Sequence, residues 1–294
     1  MEVAAGSDVG VWQRQQSDAH LIEELAPNVT LLAVADGFGL VGKGTPTAVT
    51  ALGVLREYLR KRQRGGAFGR RAATPSHVRT LLLAALDHAN ARVYAQSGAN
   101  EDFVASGTSM TVVLIVGYQA FIAHVGDARA YLVRLGHAES LTADDAMFDD
   151  PAIASGKMSA PAKPRMSGLL WRTLGTQSKL EASIADIELL SGDELVLCTD
   201  GVHHRVEADE VASALEGSAT ASDAVQRILL RARARDNVEN GTVVVARGLV
   251  SLTPGFELGP SRLDLLRSTI VLVLLATCAI SFALYVYRFG LLPH

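Results

Sequence analysis

Residues 33–48 read Ala-Val-Ala-Asp-Gly-Phe-Gly-Leu-Val-Gly-Lys-Gly-Thr-Pro-Thr-Ala, so an apolar run ends on Asp36 and a glycine-rich turn follows it. The apolar run predicts a buried strand, which places the Asp36 carboxylate at a strand end. Glycine tolerates positive φ, so Gly37 can bring a backbone carbonyl close to whatever Asp36 binds. By itself an Asp-Gly turn is typical of an ordinary hairpin, and only companion carboxylates would indicate a site.

Three further aspartates are linked to predicted strands. They lie in Val-Gly-Asp-Ala-Arg at 125–129, Leu-Cys-Thr-Asp-Gly at 197–201 and Arg-Asp-Asn at 235–237. Oxygen ligands of this kind suit hard divalent cations such as Mg²⁺ and Mn²⁺. Two such ions about 4 Å apart can activate a water for in-line attack on phosphorus. The four motifs therefore indicate a metal-dependent hydrolase.

The order of these motifs over about residues 5–247 resembles the metal-dependent serine/threonine protein phosphatases, the PPM or type 2C family, in its bacterial form. The resemblance implies an α+β fold in which two antiparallel β-sheets pack as a sandwich flanked by helices (αββα). It also implies two or three Mn²⁺ or Mg²⁺ ions and hydrolysis of phosphoserine and phosphothreonine by a metal-bridged water. The implied partners are phosphorylated proteins, targets of a serine/threonine kinase, and the catalytic domain is expected to be monomeric.

The resemblance assigns roles to residues of this chain, one motif at a time. The resemblance implies that Asp36 bridges two ions, that the Gly37 carbonyl assists, and that Asp200 and Asp236 complete the ligands of the second ion. Asp36, Asp200 and Asp236 are thus the expected catalytic residues. Asp127 lies in Gly-Asp-Ala-Arg, which is similar to the family's G-D-S-R, and its expected role is to hold a third, weaker ion.

The amino-terminal motif departs from the family's R-x-x-N-E-D pattern. Asp18 matches the final aspartate and is expected to support the second metal, but Ser17 replaces the glutamate and Gln13 replaces the arginine. Arg14 lies one position late. Since neighbours on a strand point to opposite faces, Arg14 can bind the substrate phosphate only if a bulge or irregular loop re-aims it. A solvated surface arginine is the alternative.

The last motif allows two alignments. Asp236-Asn237 matches the family's D-N-x-T-V-V-V-V by residue type, but three extra residues then precede Thr242–Ala246. The alignment without a gap places Glu239-Asn240 there. We prefer Asp236 because the longer glutamate would need the strand to retreat by about one bond length, and Glu239 is the alternative.

Two more departures bear on activity. Leu40 replaces the last glycine of the family's D-G-x-G-G turn. With Ser17 and Gln13, it favours the alternative of a catalytically weak pseudophosphatase that acts as a membrane-tethered scaffold or regulator for phosphoproteins. His203 and His204 directly follow the third motif, where adjacent histidines could add metal ligands, although the family uses carboxylates here.

The chain is predicted to consist of one catalytic domain and a carboxyl-terminal appendage. The domain covers residues 1–247, and its segment at about 143–170 corresponds to the family's flap over the metal centre. This segment is rich in Pro, Ala, Ser and Gly, a composition typical of mobile loops. A linker at 248–266, a transmembrane helix at 267–288 and a short tail at 289–294 follow.

The appendage has the pattern of a membrane anchor. From Ser268 to Tyr287 there are twenty residues without a charge. At 1.5 Å per residue they span roughly 30 Å, the thickness of the hydrocarbon core of a bilayer. A buried core helix is the alternative, which the apolar character on all faces disfavours. Because no export signal is recognisable, we expect a single-pass anchor in the cell membrane, in contact with lipid, with the catalytic domain cytoplasmic.

Composition excludes other classes of protein. With 294 residues, 49 % of them hydrophobic, the chain can bury a substantial core. A net charge of −4 is not that of a nucleic-acid binder. The two cysteines, Cys198 and Cys278, both lie in apolar runs, so they imply no disulfide framework.

Overall fold

The structure is a computed structural model that describes residues 1–11, 13–41, 45–68, 74–97, 106–145, 170, 172–235 and 239–249. Within these ranges the chain forms two five-stranded antiparallel sheets and one two-stranded sheet. The strands are β1 (Glu2–Asp8), β2 (Ala19–Ala26), β3 (Val29–Phe38), β4 (Leu40–Val41), β5 (Thr45–Pro46), β6 (Gly107–Val116), β7 (Gln119–Val125), β8 (Arg129–Arg134), β9 (His137–Ser140), β10 (Ser183–Glu188), β11 (Glu194–Cys198) and β12 (Gly241–Arg247). The helices are α1 (Thr47–Arg64), α2 (Pro75–Ser97), α3 (Asp200–His203), α4 (Ala208–Glu216) and α5 (Ala221–Arg233).

The two large sheets pack face to face. The first sheet has the order β1-β12-β11-β8-β9, and the second has the order β10-β7-β6-β3-β2. Side chains alternate between the two faces of a strand, and β3 uses both faces. Leu31 and Ala33 pack in the cluster that contains the apolar faces of α1 and α2. Leu32 and Val34 pack instead against Leu197 and other side chains of the first sheet.

Helices α4 and α5 cover the outer face of the first sheet, where they form a separate apolar cluster with β11 and β12. The order of layers is therefore helices, sheet, sheet, helices, which confirms the predicted αββα sandwich. This arrangement explains the sequence pattern of the central strands. Because β6 is buried on both faces along its whole length, its second half, Val112–Val116, reads as a continuous apolar run rather than an alternating one.

Strand β1 has no counterpart among the features that were predicted from the sequence. Its residues pair with β12 from Glu2↔Arg247 to Asp8↔Gly241, so the strand is stabilised by a partner from the other end of the domain. Gly6 lets helix α5 approach it closely. A Cβ atom at Gly6 would lie 2.7 Å from Cγ1 of Val225, which is closer than packed carbon atoms allow.

Several predictions fall on residues outside the described ranges. They include the membrane helix at 267–288 with its linker and tail, the flap from 146 to 169, and Asp236. Among the residues that are described, no helix combines the length and the apolar character that crossing a bilayer requires.

Candidate metal centre

Four of the predicted aspartates lie at one end of the sandwich. Asp36 lies near the end of β3, Asp18 immediately precedes β2, Asp127 lies between β7 and β8, and Asp200 opens α3 directly after β11. Because β3 and β11 belong to different sheets, the site is assembled from both layers of the fold. The four carboxyl groups are close enough to perturb one another electrostatically.

Asp36 is the centre of this group. Burial raises its pKa well above the ordinary value, and the neighbouring carboxyl groups of Asp18 and Asp127 raise it further. Its backbone is held by Thr108 on the adjacent strand β6, whose hydroxyl donates to the Asp36 carbonyl at 2.6 Å. The carboxyl group is thus fixed where a negative charge is costly unless a cation compensates it.

The other aspartates are perturbed in the same direction. Burial raises the pKa of Asp200 to about 9, with the charges of Asp36 and Asp127 adding to the effect. Burial also raises the pKa of Asp18 to about 6, and it raises that of Asp127. A cluster of buried and half-buried carboxyl groups that resist ionisation is characteristic of functional sites and of sites that bind cations.

Gly37 follows Asp36 at a point where the backbone is crowded. A Cβ atom there would lie 2.8 Å from the Ala48 nitrogen and 3.0 Å from the Ser17 carbonyl oxygen, so only glycine fits. Strand β3, the start of helix α1 and the segment before β2 therefore meet at this residue. The sequence pattern predicted that Gly37 would use a positive φ in a turn, but Gly37 lies within β3, and the positive φ belongs to Gly39 (φ 71°). Glycine is required at position 37 by the close approach of the neighbouring backbone.

Asp18 is held from the opposite sheet. Thr199 donates its hydroxyl hydrogen to Oδ2 of Asp18 at 2.7 Å and accepts a hydrogen bond from the Thr242 nitrogen at 2.9 Å. This leaves Oδ1 of Asp18 available. No N–H or O–H group of the described part of the chain makes a hydrogen bond of ordinary geometry to it.

Ser17, which replaces the expected glutamate, has a specific partner. Its backbone nitrogen and its hydroxyl both donate to Oδ1 of Asn240, at 2.6 Å and 2.5 Å. The side-chain nitrogen of Asn240 donates in turn to the Val9 carbonyl at 2.7 Å. Asn240 therefore ties the segment before β12 to both ends of the loop that carries Arg14.

The described residues between β1 and β2, 9–11 and 13–18, form neither helix nor strand, and Arg14 is exposed among them. The strand alternation that would have turned Arg14 away from the site therefore does not apply. An irregular loop is the condition under which Arg14 can replace the family arginine. Its role as the phosphate ligand stays a prediction.

Glu239 lies beside Asp200. One ligand atom from each of Asp200, His204 and Glu239 lies within 4.8 Å of the other two, and Glu239 contributes to the raised pKa of Asp200. Asp236 lies outside the described residues, so the structure provides no comparison for it. The geometry thus places the alternative ligand, Glu239, at the site.

His203, unlike His204, is buried. Its Nε2 donates to the Asp127 carbonyl at 2.9 Å, and burial lowers its pKa to about 3. His203 therefore supports the turn that carries Asp127.

Asp145 holds the other side of that turn. Its nitrogen donates to the Gly126 carbonyl at 2.7 Å and its Oδ2 accepts from the Gly126 nitrogen at 2.8 Å. Arg172 forms an ion pair with Asp145. The two edges of the predicted flap are thereby joined to each other and to the Asp127 turn.

The donor set fits a hard divalent cation. Its groups are carboxylates and a nearby backbone carbonyl, which are the oxygen ligands that Mg²⁺ and Mn²⁺ take. Oδ1 of Asp127, like Oδ1 of Asp18, is buried and makes no hydrogen bond of ordinary geometry within the described ranges. Buried carboxylate oxygens without a donor are costly, and a cation would satisfy them.

Sequence reasoning missed the residues that position the site: Thr199 binds the Asp18 carboxylate, Thr242 binds Thr199, Asn240 binds Ser17, and the Thr108 hydroxyl binds the Asp36 carbonyl. Thr108 lies in a Gly-Thr-Ser motif and Thr199 directly precedes Asp200. Their position next to site motifs is a usable signal. A buried hydroxyl at a strand end commonly has a hydrogen-bond partner.

Comparison with known proteins agrees with this site. The family model described as protein phosphatase 2C matches residues 5–150. The serine/threonine protein phosphatase PstP of Mycobacterium tuberculosis is 30 % identical over 253 residues, which cover 84 % of this chain and 45 % of PstP. The chain thus spans less than half the length of PstP.

A serine/threonine phosphatase Stp of Listeria monocytogenes is 25 % identical over 242 residues, which cover 81 % of this chain and 92 % of Stp. Among solved structures, the catalytic domain of PstP in complex with two manganese ions has a TM-score of 0.65 at 24 % identity, over 84 % of this chain and 97 % of that one. The structural likeness shows the same fold. With the family match and the relatives, it leads to one conclusion: the chain belongs to the protein phosphatase 2C family of metal-dependent serine/threonine phosphatases, in its bacterial form.

Proposed function

We propose that this phosphatase hydrolyses phosphoserine and phosphothreonine in proteins at a centre formed by Asp36, Asp200 and Glu239, with Mn²⁺ or Mg²⁺ as cofactor. The observation that carries the proposal is the convergence of carboxyl groups from both sheets, of which Asp18 and Asp127 are buried and Asp36 and Asp200 half-buried. Desolvation and the neighbouring carboxyl groups raise the pKa values of Asp36 and Asp200. When bound, divalent ions polarise phosphoryl oxygens and lower the pKa of a nearby water.

The chain's own residues hold and orient this centre. Asp36 and Asp200 provide charge from opposite sheets, and Gly37 brings its backbone close without a side chain in the way. Thr199 orients Asp18 by donating to one of its oxygens, so the other oxygen is left for the ions or their waters. Asp127 is the candidate for holding a third ion.

Arg14 is proposed to bind the substrate phosphate. It is exposed in the irregular segment that leads directly to Asp18, and a guanidinium group matches the geometry of phosphate oxygens. Arg14→Lys should raise KM for a phosphopeptide more than it lowers kcat, since the charge stays while the planar fork is lost. Equal kinetics in the variant would leave Arg14 as a surface residue.

The central experiment measures phosphate release from a phosphothreonine peptide as a function of Mn²⁺ concentration. Asp200→Asn keeps the shape of the side chain and removes its charge, so hydrolysis should fall to background at all Mn²⁺ concentrations while the circular dichroism spectrum is unchanged. Asp87→Asn is the matched control, because Asp87 is exposed on helix α2. That variant should hydrolyse the peptide at the wild-type rate.

The same assay separates an enzyme from a scaffold. A catalytically weak relative would bind the phosphopeptide without releasing phosphate at any Mn²⁺ concentration. Turnover in wild type that survives Asp200→Asn would instead show that the carboxylate centre is assigned to the wrong residues.

We further propose that residues 268–287 tether the catalytic domain to the membrane. The support is the length and apolar character of this run, which suffices for a spanning helix. Because ATP-dependent protein phosphorylation takes place inside the cell, the proposed side for the domain is the cytoplasmic one.

Truncation after Pro260 should give a protein that leaves the membrane pellet and still hydrolyses the peptide. In the full chain, the double change Leu274→Arg with Leu275→Arg should also release the protein. Each charge in the middle of a span costs about 3 kcal/mol. The same two leucines changed to alanine serve as the control and should leave it in the pellet. A truncated protein that stays in the pellet at high salt would contradict the tether.

A further inference from the structure

We propose that His204 supplies a nitrogen ligand to the cation held by Asp200 and Glu239, which makes this centre prefer a transition metal such as Mn²⁺ over Mg²⁺. The inference rests on the proposed function, because it concerns the same metal centre. It assigns a role to a residue that the carboxylate motifs do not include.

Helix α3 sets the distance between His204 and Asp200. The His204 nitrogen donates to the Asp200 carbonyl at 2.9 Å, so the two residues are one helical turn apart. Residues at positions i and i+4 of a helical turn lie on the same face, and two ligands in this spacing can bind one ion, as they do in helical zinc motifs. The chain is therefore folded locally in a way that directs both side chains to one place.

Glu239 is the third member of the proposed ligand set, and it comes from the segment before β12. Nδ1 of His204 lies 3.9 Å from Oε2 of Glu239, and the ligand atoms of all three residues lie within 4.8 Å of one another. Ligands about 2.1 Å from a common ion are at most about 4.2 Å apart. Small side-chain rotations would bring the three ligand atoms into that range.

The neighbouring carboxylates give a further reason to expect a cation beside this set. Asp18 and Asp127 are 4 % and 7 % exposed. Each has an oxygen without a hydrogen bond of ordinary geometry in the described ranges. His204 also acts electrostatically on Asp127. The histidine therefore faces the same group of carboxylates that lacks donors.

The neighbouring histidine has a different role. His203 is buried and donates from Nε2 to the Asp127 carbonyl. The side chains of His204 and Glu239 are 43 % and 47 % exposed, so both can reach an ion that enters from solvent. The competing explanation is an ordinary exposed ion pair between them, which contributes little to stability and predicts no effect on metal binding.

Imidazole changes which metal the site prefers. Mg²⁺ takes oxygen ligands in near-ideal octahedral geometry and keeps several waters, whereas first-row transition metals accept imidazole readily. His204→Gln should therefore weaken Mn²⁺ binding on the order of tenfold. Mg²⁺ affinity should change much less, so the ratio of the two dissociation constants is the quantity to measure.

A direct test is pulsed electron paramagnetic resonance on the purified full chain loaded with Mn²⁺, which detects ¹⁴N nuclei bound to the ion. Wild type should show a ¹⁴N coupling that disappears in His204→Gln. His137→Gln is the matched control, because His137 is exposed on β9, and it should keep the coupling.

Two outcomes would overturn the inference: wild type that binds Mn²⁺ without a ¹⁴N coupling, or a coupling that survives in His204→Gln. The spectrum is independent of turnover. A wild-type protein that shows the coupling but releases no phosphate would refute the proposed function and leave the nitrogen ligand supported. A protein that releases phosphate but shows no ¹⁴N coupling would refute the nitrogen ligand and leave the proposed function supported.

Discussion

The Thr199 hydroxyl lies 2.7 Å from Oδ2 of Asp18, although 181 residues separate the two in the chain. Thr199 follows β11 in the first sheet, and Asp18 precedes β2 in the second. This hydrogen bond therefore crosses from one sheet to the other at the metal centre. Because the Thr242 nitrogen donates to the same hydroxyl, a single oxygen connects three segments of the site.

Replacing this hydroxyl should weaken both the fold and the metal centre. Thr199→Val keeps the shape of the side chain but leaves the Thr242 nitrogen and Asp18 without their partner. We expect a loss of about 1–3 kcal/mol in the free energy of unfolding and weaker Mn²⁺ binding, since Asp18 would ionise less easily. Urea unfolding and Mn²⁺ titration calorimetry measure the two effects.

Thr80→Val is the control for that variant. The Thr80 hydroxyl also donates a hydrogen bond, to the Ser76 carbonyl, but on the exposed surface of helix α2. Its loss should change stability by less than about 0.5 kcal/mol. If Thr199→Val binds Mn²⁺ as tightly as this control, Asp18 does not support the metal.

Adding one methyl group at Gly37 should damage the centre. The Cβ atom of Gly37→Ala would meet backbone atoms of Ala48 and Ser17 at 2.8 Å and 3.0 Å. We expect a loss of about 1–3 kcal/mol in stability and a marked loss of hydrolysis, because Asp36 moves with its neighbour.

Gly53 offers the opposite case within the same fold. It lies inside helix α1, and a Cβ atom there would meet nothing within 4 Å. Gly53→Ala should therefore stabilise the protein by about 0.5–1 kcal/mol and leave turnover unchanged. A Gly37→Ala protein that behaves like Gly53→Ala would show that the close approach has no role.

The last acidic ligand can be identified by comparing two alanine variants. Glu239→Ala should weaken Mn²⁺ binding more than Asp236→Ala does, because the Glu239 carboxylate lies next to Asp200. Titration calorimetry at one pH ranks the two. The reverse order would return the role to Asp236, the residue preferred from the sequence.

The metal-free protein should become less stable as pH rises. The pKa of Asp18 is raised from 3.8 to about 6 and that of Asp200 from 3.8 to about 9. Between the unfolded and folded pKa values the native state binds more protons than the unfolded state, so the free energy of unfolding falls with pH. Asp18 contributes from about pH 4 to 6, and Asp200 contributes from about pH 4 to 9.

Urea unfolding at pH 5, 7 and 9 in the presence of a chelator measures this slope. Asp200→Asn should reduce the slope between pH 6 and 9, since Asp200 no longer titrates there, while the raised pKa of Asp36 leaves part of the decline. Saturating Mn²⁺ should remove most of the decline, because the bound ion stabilises the ionised carboxylates. A metal-free wild type whose stability stays constant from pH 5 to 9 would contradict the raised pKa values.

The sequence was sufficient to predict features that depend on residues close together in the chain. An apolar run that ends on aspartate and glycine identifies the strand and its turn together, so Asp36 and Asp200 were found before the fold was known. The sandwich itself came from the resemblance. Continuous apolar runs indicate burial on both faces but do not say which layer covers each face.

Features that depend on distant partners could not be predicted. Strand β1 exists because it pairs with β12, more than 230 residues later, and its own residues show no strand pattern. Thr199 has a role only because the fold places Asp18 opposite it. In the last motif, residue type favoured Asp236, whereas the position of Glu239 depends on where β12 begins, at Gly241.

Because the proposed ligands Asp36 and Asp200 come from different sheets, an ion bound to both would join the two layers. The sheets are otherwise joined here by an apolar layer that includes Leu32 and Val244, and such a layer resists separation better than it resists sliding. Sliding would change the spacing between Asp36 and Asp200 before it broke any strand pairing. The affinity for the metal should therefore depend on how well the two sheets are aligned, even when a substitution contacts no ligand.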